Sequence, residues 1–166
     1  MQPELFRFGS IADIQYGDFE NGKGEGRCQR YREAPKKLEK ALDIMHEHDV
    51  SLILTVGDII EGHKPQSAAD QADLDVITTI FSKARCPVAH TLGNHDVCLE
   101  REHLRRCLGM PACYYACPLH PGWKLLVLDT TDLSTGSEFK LCWPLDSPKY
   151  AEAKAYLDAH PQVMHR

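Results

Sequence analysis

The chain has 166 residues, 43% of them hydrophobic and 26% charged, and its 19 Lys+Arg against 24 Asp+Glu give a formal net charge of -5. That length suits one domain with a sizeable core, and the composition excludes a disordered, fibrous or low-complexity protein. The negative balance offers no reason to expect nucleic acid or an acidic membrane as partner, and no window approaches the roughly 18 apolar residues of a membrane span.

Met1 to Arg7 lack a basic segment leading into an apolar run, so nothing there reads as an export signal. Seven cysteines, an odd number, then read as reduced thiols in a cytoplasmic protein. Cys98, His103, Cys107, Cys113 and Cys117 lie close enough in sequence to consider a structural zinc site, although no Cys-x-x-Cys knuckle is present.

Residues 6–12 read as a first strand ending in Asp13-Ile14-Gln15, and the glycine-rich stretch Tyr16 to Gly26 reads as a loop. From Gln29 to about His46, Leu38, Ala41, Leu42 and Met45 recur at helical spacing, with Pro35 suited to a first turn. Arg30 and Arg32 flank Tyr31 at the mouth of any crevice formed there. They are candidates for a substrate phosphate, against the commoner reading of a solvated basic face.

Leu52 to Val56 is an unbroken apolar run, as expected of a strand covered on both faces, and it ends in Gly57-Asp58-Ile59-Ile60. A helix from Ser67 to Ser82 and a strand from Val88 to Leu92 follow, the latter ending in Gly93-Asn94-His95-Asp96. This βαβαβ order predicts a parallel sheet with right-handed crossovers. Further on are a short helix over 100–108 and a hairpin of Tyr114–Ala116 with Trp123–Leu128, joined by Cys117 to Gly122. A loop over 130–143 and a helix opened by Ser147-Pro148 complete the chain.

Three apolar strands thus end in oxygen-bearing side chains, and ligands of open parallel sheets bind beyond such strand ends. Carboxylates converging there would repel one another unless cations compensated them. Asp13, Gln15, Asp58 and Asn94 form an oxygen donor set suited to Mn²⁺ or Mg²⁺, with Asp58, on the middle strand, placed to bridge two ions. His95 is a candidate for stabilising or protonating a leaving oxygen, oriented or raised in pKa by its neighbour Asp96.

Asp13-Ile14-Gln15, Gly57-Asp58-Ile59-Ile60 and Gly93-Asn94-His95-Asp96 resemble the first three motifs of the calcineurin-like metallophosphoesterases, D-x-H, G-D-x-x and G-N-H-D/E. Glutamine at position 15, with Arg30-Tyr31-Arg32 and Glu61-Gly62, is more similar to the manganese-dependent branch that hydrolyses the pyrophosphate of ADP-ribose or CDP-alcohols. The resemblance implies two divalent ions, Mn²⁺ with Mg²⁺ or Fe²⁺ as the other candidates, and a small nucleotide diphosphate as substrate. Asp13 and Gln15 would bind one ion, Asp58 would bridge, Asn94 would bind the second, and His95 would act at the leaving group.

The implied fold is α/β, the N-terminal portion of a four-layer α/β/β/α sandwich. The chain is expected to be truncated, because the family's later histidine and G-H-x-H ligands have no counterpart. Weak metal binding and little turnover by this chain alone are expected in consequence. The alternatives are a phosphomonoesterase or phosphodiesterase of the same superfamily, and a non-catalytic binding fragment.

Overall fold

The computed structural model describes residues 6–18, 20, 23–24, 27–28, 30–62, 67–137 and 140–163. In chain order, β1 (Phe8–Ile11) precedes a two-residue pair, β2 (Lys23–Gly24) and β3 (Arg27–Cys28). Then come a 3-10 turn over Tyr31–Glu33, α1 (Ala34–Glu47), β4 (Leu52–Val56), α2 (Ala68–Phe81), β5 (Val88–Thr91) and α3 (Arg101–Cys107). The last part holds a hairpin, β6 (Tyr115–His120) with β7 (Trp123–Val127), a small pair, β8 (Gly136–Ser137) with β9 (Lys140–Leu141), and α4 (Pro148–Ala159).

β1, β4 and β5 form a parallel sheet in that order. Gly9, Ile53, Thr55 and His90 share one face by register. Both long helices lie on that face. A Cβ at Gly9 would come within 2.5 Å of the Met45 sulfur of α1, and Phe81 of α2 meets the His90 ring edge-on at 5.0 Å. Leu38, Leu42, Ile53, Leu74 and Ile77 close this core, and each fully buried aliphatic side chain contributes about 1.5–3 kcal/mol.

The opposite face departs from expectation. The run Leu52 to Val56 was expected to be covered on both sides, yet Val56 is 56% exposed and Phe8 52%. Leu52 and Ala89 on the same face are buried, so that face is covered only in part.

Helix boundaries follow local chemistry. α1 begins at Ala34 rather than at Gln29, which lies outside the described residues, because Pro35 lacks an N–H and is tolerated only in a first turn. Ser67 and Ser147 accept from the N–H groups of Asp70 (3.0 Å) and Tyr150 (3.1 Å), capping α2 and α4, the latter as Ser147-Pro148 predicts.

The hairpin corrects the sequence reading: Cys117 to His120 belong to β6, and only Pro121-Gly122 turn the chain. Gly122 at φ 82° supplies the positive φ a Pro-Gly turn requires. Pro118, which has no N–H to donate, is tolerated in this two-stranded ribbon, and the register slips between it and His120. The predicted loop over 130–143 also contains structure, a 3-10 turn at Thr130–Leu133 and the β8–β9 pair.

That segment is fastened to α3 by Arg101. Its guanidinium donates to Asp129 Oδ2 (3.3 Å), Cys142 O (2.7 Å) and Thr131 Oγ1 (2.8 Å), and stacks 3.6 Å from the Trp143 ring centre. Among the described residues no helix is long and apolar enough to cross a membrane.

Candidate metal centre

Beyond the last residues of β1 and β4 the two chains stay zipped together. Asp13 N donates to Gly57 O (3.4 Å), Gln15 N to Asp58 O (2.9 Å), Tyr16 N to Ile59 O (3.2 Å), and Glu61 N back to Tyr16 O (2.7 Å). The pairing survives only because the backbone twists. Asp13 (φ 52°), Gln15 (φ 44°) and Asp58 (φ 52°) all have positive φ, a conformation costly for residues with a Cβ, by about 1–3 kcal/mol each. Three of the four sequence-predicted oxygen donors therefore carry backbone strain that the surrounding hydrogen bonds hold in place.

The third loop is locked to the second by an exchange of carboxylates. Asp58 Oδ1 accepts from His95 N (3.0 Å). In return Asp96 accepts from Ile59 N (2.7 Å), Ile60 N (3.1 Å) and Gly93 N (2.8 Å). These four hydrogen bonds hold the strained backbone at Asp58 in place.

Glycine is required at the contact. A Cβ on Gly93 would lie 2.1 Å from Asp58 Oδ1 and 2.4 Å from Asp58 N, and one on Gly57 would lie 2.8 Å from Gly93 Cα.

Asp96 thus differs from its predicted role. It does not orient the His95 ring; it is fully buried and turned into the backbone of the neighbouring loop. Burial pushes its pKa up to about 6, with the Asp58 charge acting in the same direction and the three N–H donors opposing.

The residue that faces His95 is Glu61, which the sequence reading left without a role. His95 Nδ1 lies 2.8 Å from Glu61 O and 3.1 Å from Glu61 Oε2. Burial alone would lower the His95 pKa. The hydrogen bonds and charge of Glu61, with the charge of Asp58, outweigh it, and the net shift is upward. A signal existed, since Glu61 sits three residues after Asp58 in the same loop.

Arg30 and Arg32 part company. Arg32 Nε is held by Asp18 Oδ1 at 2.8 Å, and Asp18 N is held by Asp73 Oδ1 at 3.1 Å, so this arginine braces the loop after β1. Arg30, paired with Glu33 at 3.2 Å, lines a cleft of about 360 Å³ whose edge is formed by Asp13 to Gln15. Asn94 is exposed between Gly93 and His95, whose N–H groups are both fixed.

Two carboxylates and two amides make a hard, all-oxygen donor set, which fits Mn²⁺, Mg²⁺ or Fe²⁺ better than a soft ion. Among the described residues no three His, Cys, Asp or Glu side chains gather into a metal-holding group. That finding removes the thiol-held zinc considered for Cys98, His103, Cys107, Cys113 and Cys117. His103 instead pairs with Gln71 and with Cys107 Sγ at 3.5 Å.

The calcineurin-like phosphoesterase family matches residues 6–159. A manganese-dependent ADP-ribose/CDP-alcohol diphosphatase of Oryza sativa subsp. japonica is 34% identical over 161 residues, 93% of this chain and 48% of its own. The Homo sapiens protein of the same name is 30% identical over 180 residues, 94% of this chain and 51% of its own. A dimetal phosphatase from Danio rerio superposes with a TM-score of 0.76 at 28% identity, over 93% of this chain and 52% of that one. The chain spans about half the length of the relatives it matches. With the motif loops, the parallel sheet and these matches in agreement, the chain belongs to the calcineurin-like phosphoesterase family.

Proposed function

We propose that this chain carries the oxygen-ligand side of a two-metal phosphohydrolase centre acting on the pyrophosphate bond of ADP-ribose or CDP-alcohol type substrates. The observation that carries the reading is the reciprocal lock between Asp58 and Asp96, which fixes the loops after β4 and β5 against each other. In this reading Asp13 and Gln15 hold one ion, Asp58 bridges and Asn94 holds the second, with manganese the favoured metal. When bound, the two ions would neutralise charge on the phosphoryl group and acidify a water.

The chain's own residues supply the rest. His95, whose pKa Glu61 raises, has its Nδ1 committed to that residue, so any proton it delivers to a leaving oxygen comes from Nε2. Arg30 offers a planar donor to phosphate, and Arg32, in an exposed pair with Asp18, remains a second candidate. Cys86, Cys107, Cys113, Cys117 and Cys142 are free thiols, and a reducing cytoplasmic setting is part of the same proposal.

Four oxygen donors are few for two ions, so weak Mn²⁺ binding and little turnover are expected of these 166 residues by themselves. The test is Mn²⁺ titration followed by electron paramagnetic resonance. Binding should be detectable in the wild type and lost in Asp58→Asn; indifference of Mn²⁺ affinity to that substitution would leave the non-catalytic fragment as the better reading. Robust Mn²⁺-dependent hydrolysis of ADP-ribose by this chain alone would refute the incomplete-centre part of the proposal.

A further inference from the structure

We propose that the cleft between the Asp13–Gln15 turn and α1 is a nucleoside pocket, taking the base deep against the helix and the attached phosphate at the rim. The inference rests on the diphosphatase reading for its substrate class, and on the cleft itself for its placement. The cleft measures about 360 Å³, within the range of small-molecule sites. Ala34, Leu38 and Ala41 line it from one face of α1, at helical spacings of four and three. Two alanines on that face leave an open slot beside Leu38, and Ile11 and Tyr31 complete its apolar walls. Tyr31 is 8% exposed, a fixed aromatic wall rather than a mobile surface ring.

The polar groups are segregated to the rim. Arg30 and Lys37 stand there, both paired with Glu33 (3.2 and 3.5 Å) through exposed, exchangeable contacts that an arriving anion can replace. On the other side lies Asp13, whose charge would turn a bare anion away from that edge. A ligand that fits has a flat apolar body and one anionic end. A nucleoside monophosphate moiety has that form. A polyhydroxylated sugar does not, because hydroxyls buried against Ile11, Leu38 and the alanines would lose their hydrogen bonds to water. The nucleotide half of the substrate is therefore placed against α1, with its phosphate held by Arg30 and Lys37 and kept away from Asp13.

The test uses the full chain in excess EDTA, so that no metal contributes, with AMP, adenosine and ribose 5-phosphate as probes followed by amide chemical shifts. AMP should bind saturably with shifts centred on Tyr31 and Ala41, and ribose 5-phosphate at least about tenfold more weakly. Lys37→Ala, on an exposed side chain, should weaken AMP several-fold and leave adenosine unchanged. Ala41→Phe should abolish both while melting as the wild type does; if it fails to fold, the Lys37→Ala comparison decides alone. Equal binding of AMP and ribose 5-phosphate, shifts confined to other surfaces, or no AMP binding would overturn the pocket. The Mn²⁺ titration of Asp58→Asn is independent of these arms. AMP binding here without any Mn²⁺ site would keep the pocket and sink the hydrolase reading; Mn²⁺ binding without AMP in the cleft would do the reverse.

Discussion

Acidification should loosen the strand that delivers the third loop, through His90. This histidine is 4% exposed on β5, its Nδ1 2.9 Å from Thr55 Oγ1 and its ring edge against Phe81. Burial lowers its pKa from 6.5 to about 4. Above pH 6.5 the ring is neutral whether the chain is folded or not, and the full stability is present. Below it the unfolded chain binds the proton first, so stability falls with pH until the folded form also titrates near 4. At about 1.4 kcal/mol per pH unit, the gap between 6.5 and about 4 amounts to roughly 3 kcal/mol, a large fraction of a typical domain's stability. The assay is urea unfolding of wild type and His90→Asn across about pH 7.5 to 4.5. Asparagine keeps a polar atom near Thr55 and cannot titrate. It should be less stable at neutral pH, having lost the ring's packing, but its deficit should shrink on acidification by about 2–3 kcal/mol. Carboxylates that titrate in both proteins, Asp96 among them, cancel in the difference to the extent that they are independent of His90. A deficit that stays constant across the range would refute the argument.

Gly93→Ala forces a methyl to 2.1 Å from Asp58 Oδ1 and 2.4 Å from its backbone N, and the latter cannot swing aside. It should destabilise the fold by about 1–3 kcal/mol or more and reduce Mn²⁺ affinity, read by thermal melting and metal titration. Glu61→Gln removes the carboxylate that raises the His95 pKa and leaves burial to lower it. The His95 ring signals should then titrate at lower pH by NMR, and the unfolding free energy should fall more at acidic than at alkaline pH, because the raised pKa stabilises the fold only where the ring is protonated. Arg101→Leu strands Asp129, whose side chain is 2% exposed, and frees the Thr131 and Cys142 contacts. A loss of about 3–5 kcal/mol is expected by chemical denaturation, and the double variant with Asp129→Leu should recover part of it.

What could be read from sequence here, and what could not, follows the range of the interactions involved. The strands β4 and β5 and the helices α2 and α4 are legible because their signals are local: an apolar run with glycine after it, apolar residues at helical spacing, a serine followed by proline. The proposed donors Asp13, Gln15, Asp58 and Asn94 rest on the same kind of local signal, since each lies in the turn directly beyond its strand.

The partners of those side chains are a different matter. Asp96 adjoins His95 in sequence, and adjacency suggests a pair. The 3-10 turn over Asp96–Cys98 instead places the carboxylate against three N–H groups, two of them 36 and 37 residues earlier in the chain. Glu61 reaches His95 across 34 residues by the opposite route. Both contacts exist because Ile59 and Ile60 are consecutive and both fully buried, so the chain after Asp58 dives beneath the third loop instead of continuing as a strand.

No alternation rule foretells two buried neighbours in a row. Once they are in place, however, their N–H groups need acceptors inside the protein, and a buried carboxylate is the acceptor at hand. The exchange of roles between Asp96 and Glu61 is thus one event: satisfying the backbone of Ile59 and Ile60 consumes Asp96, and the loop that buries them returns Glu61 to the surface of the site, where His95 meets it.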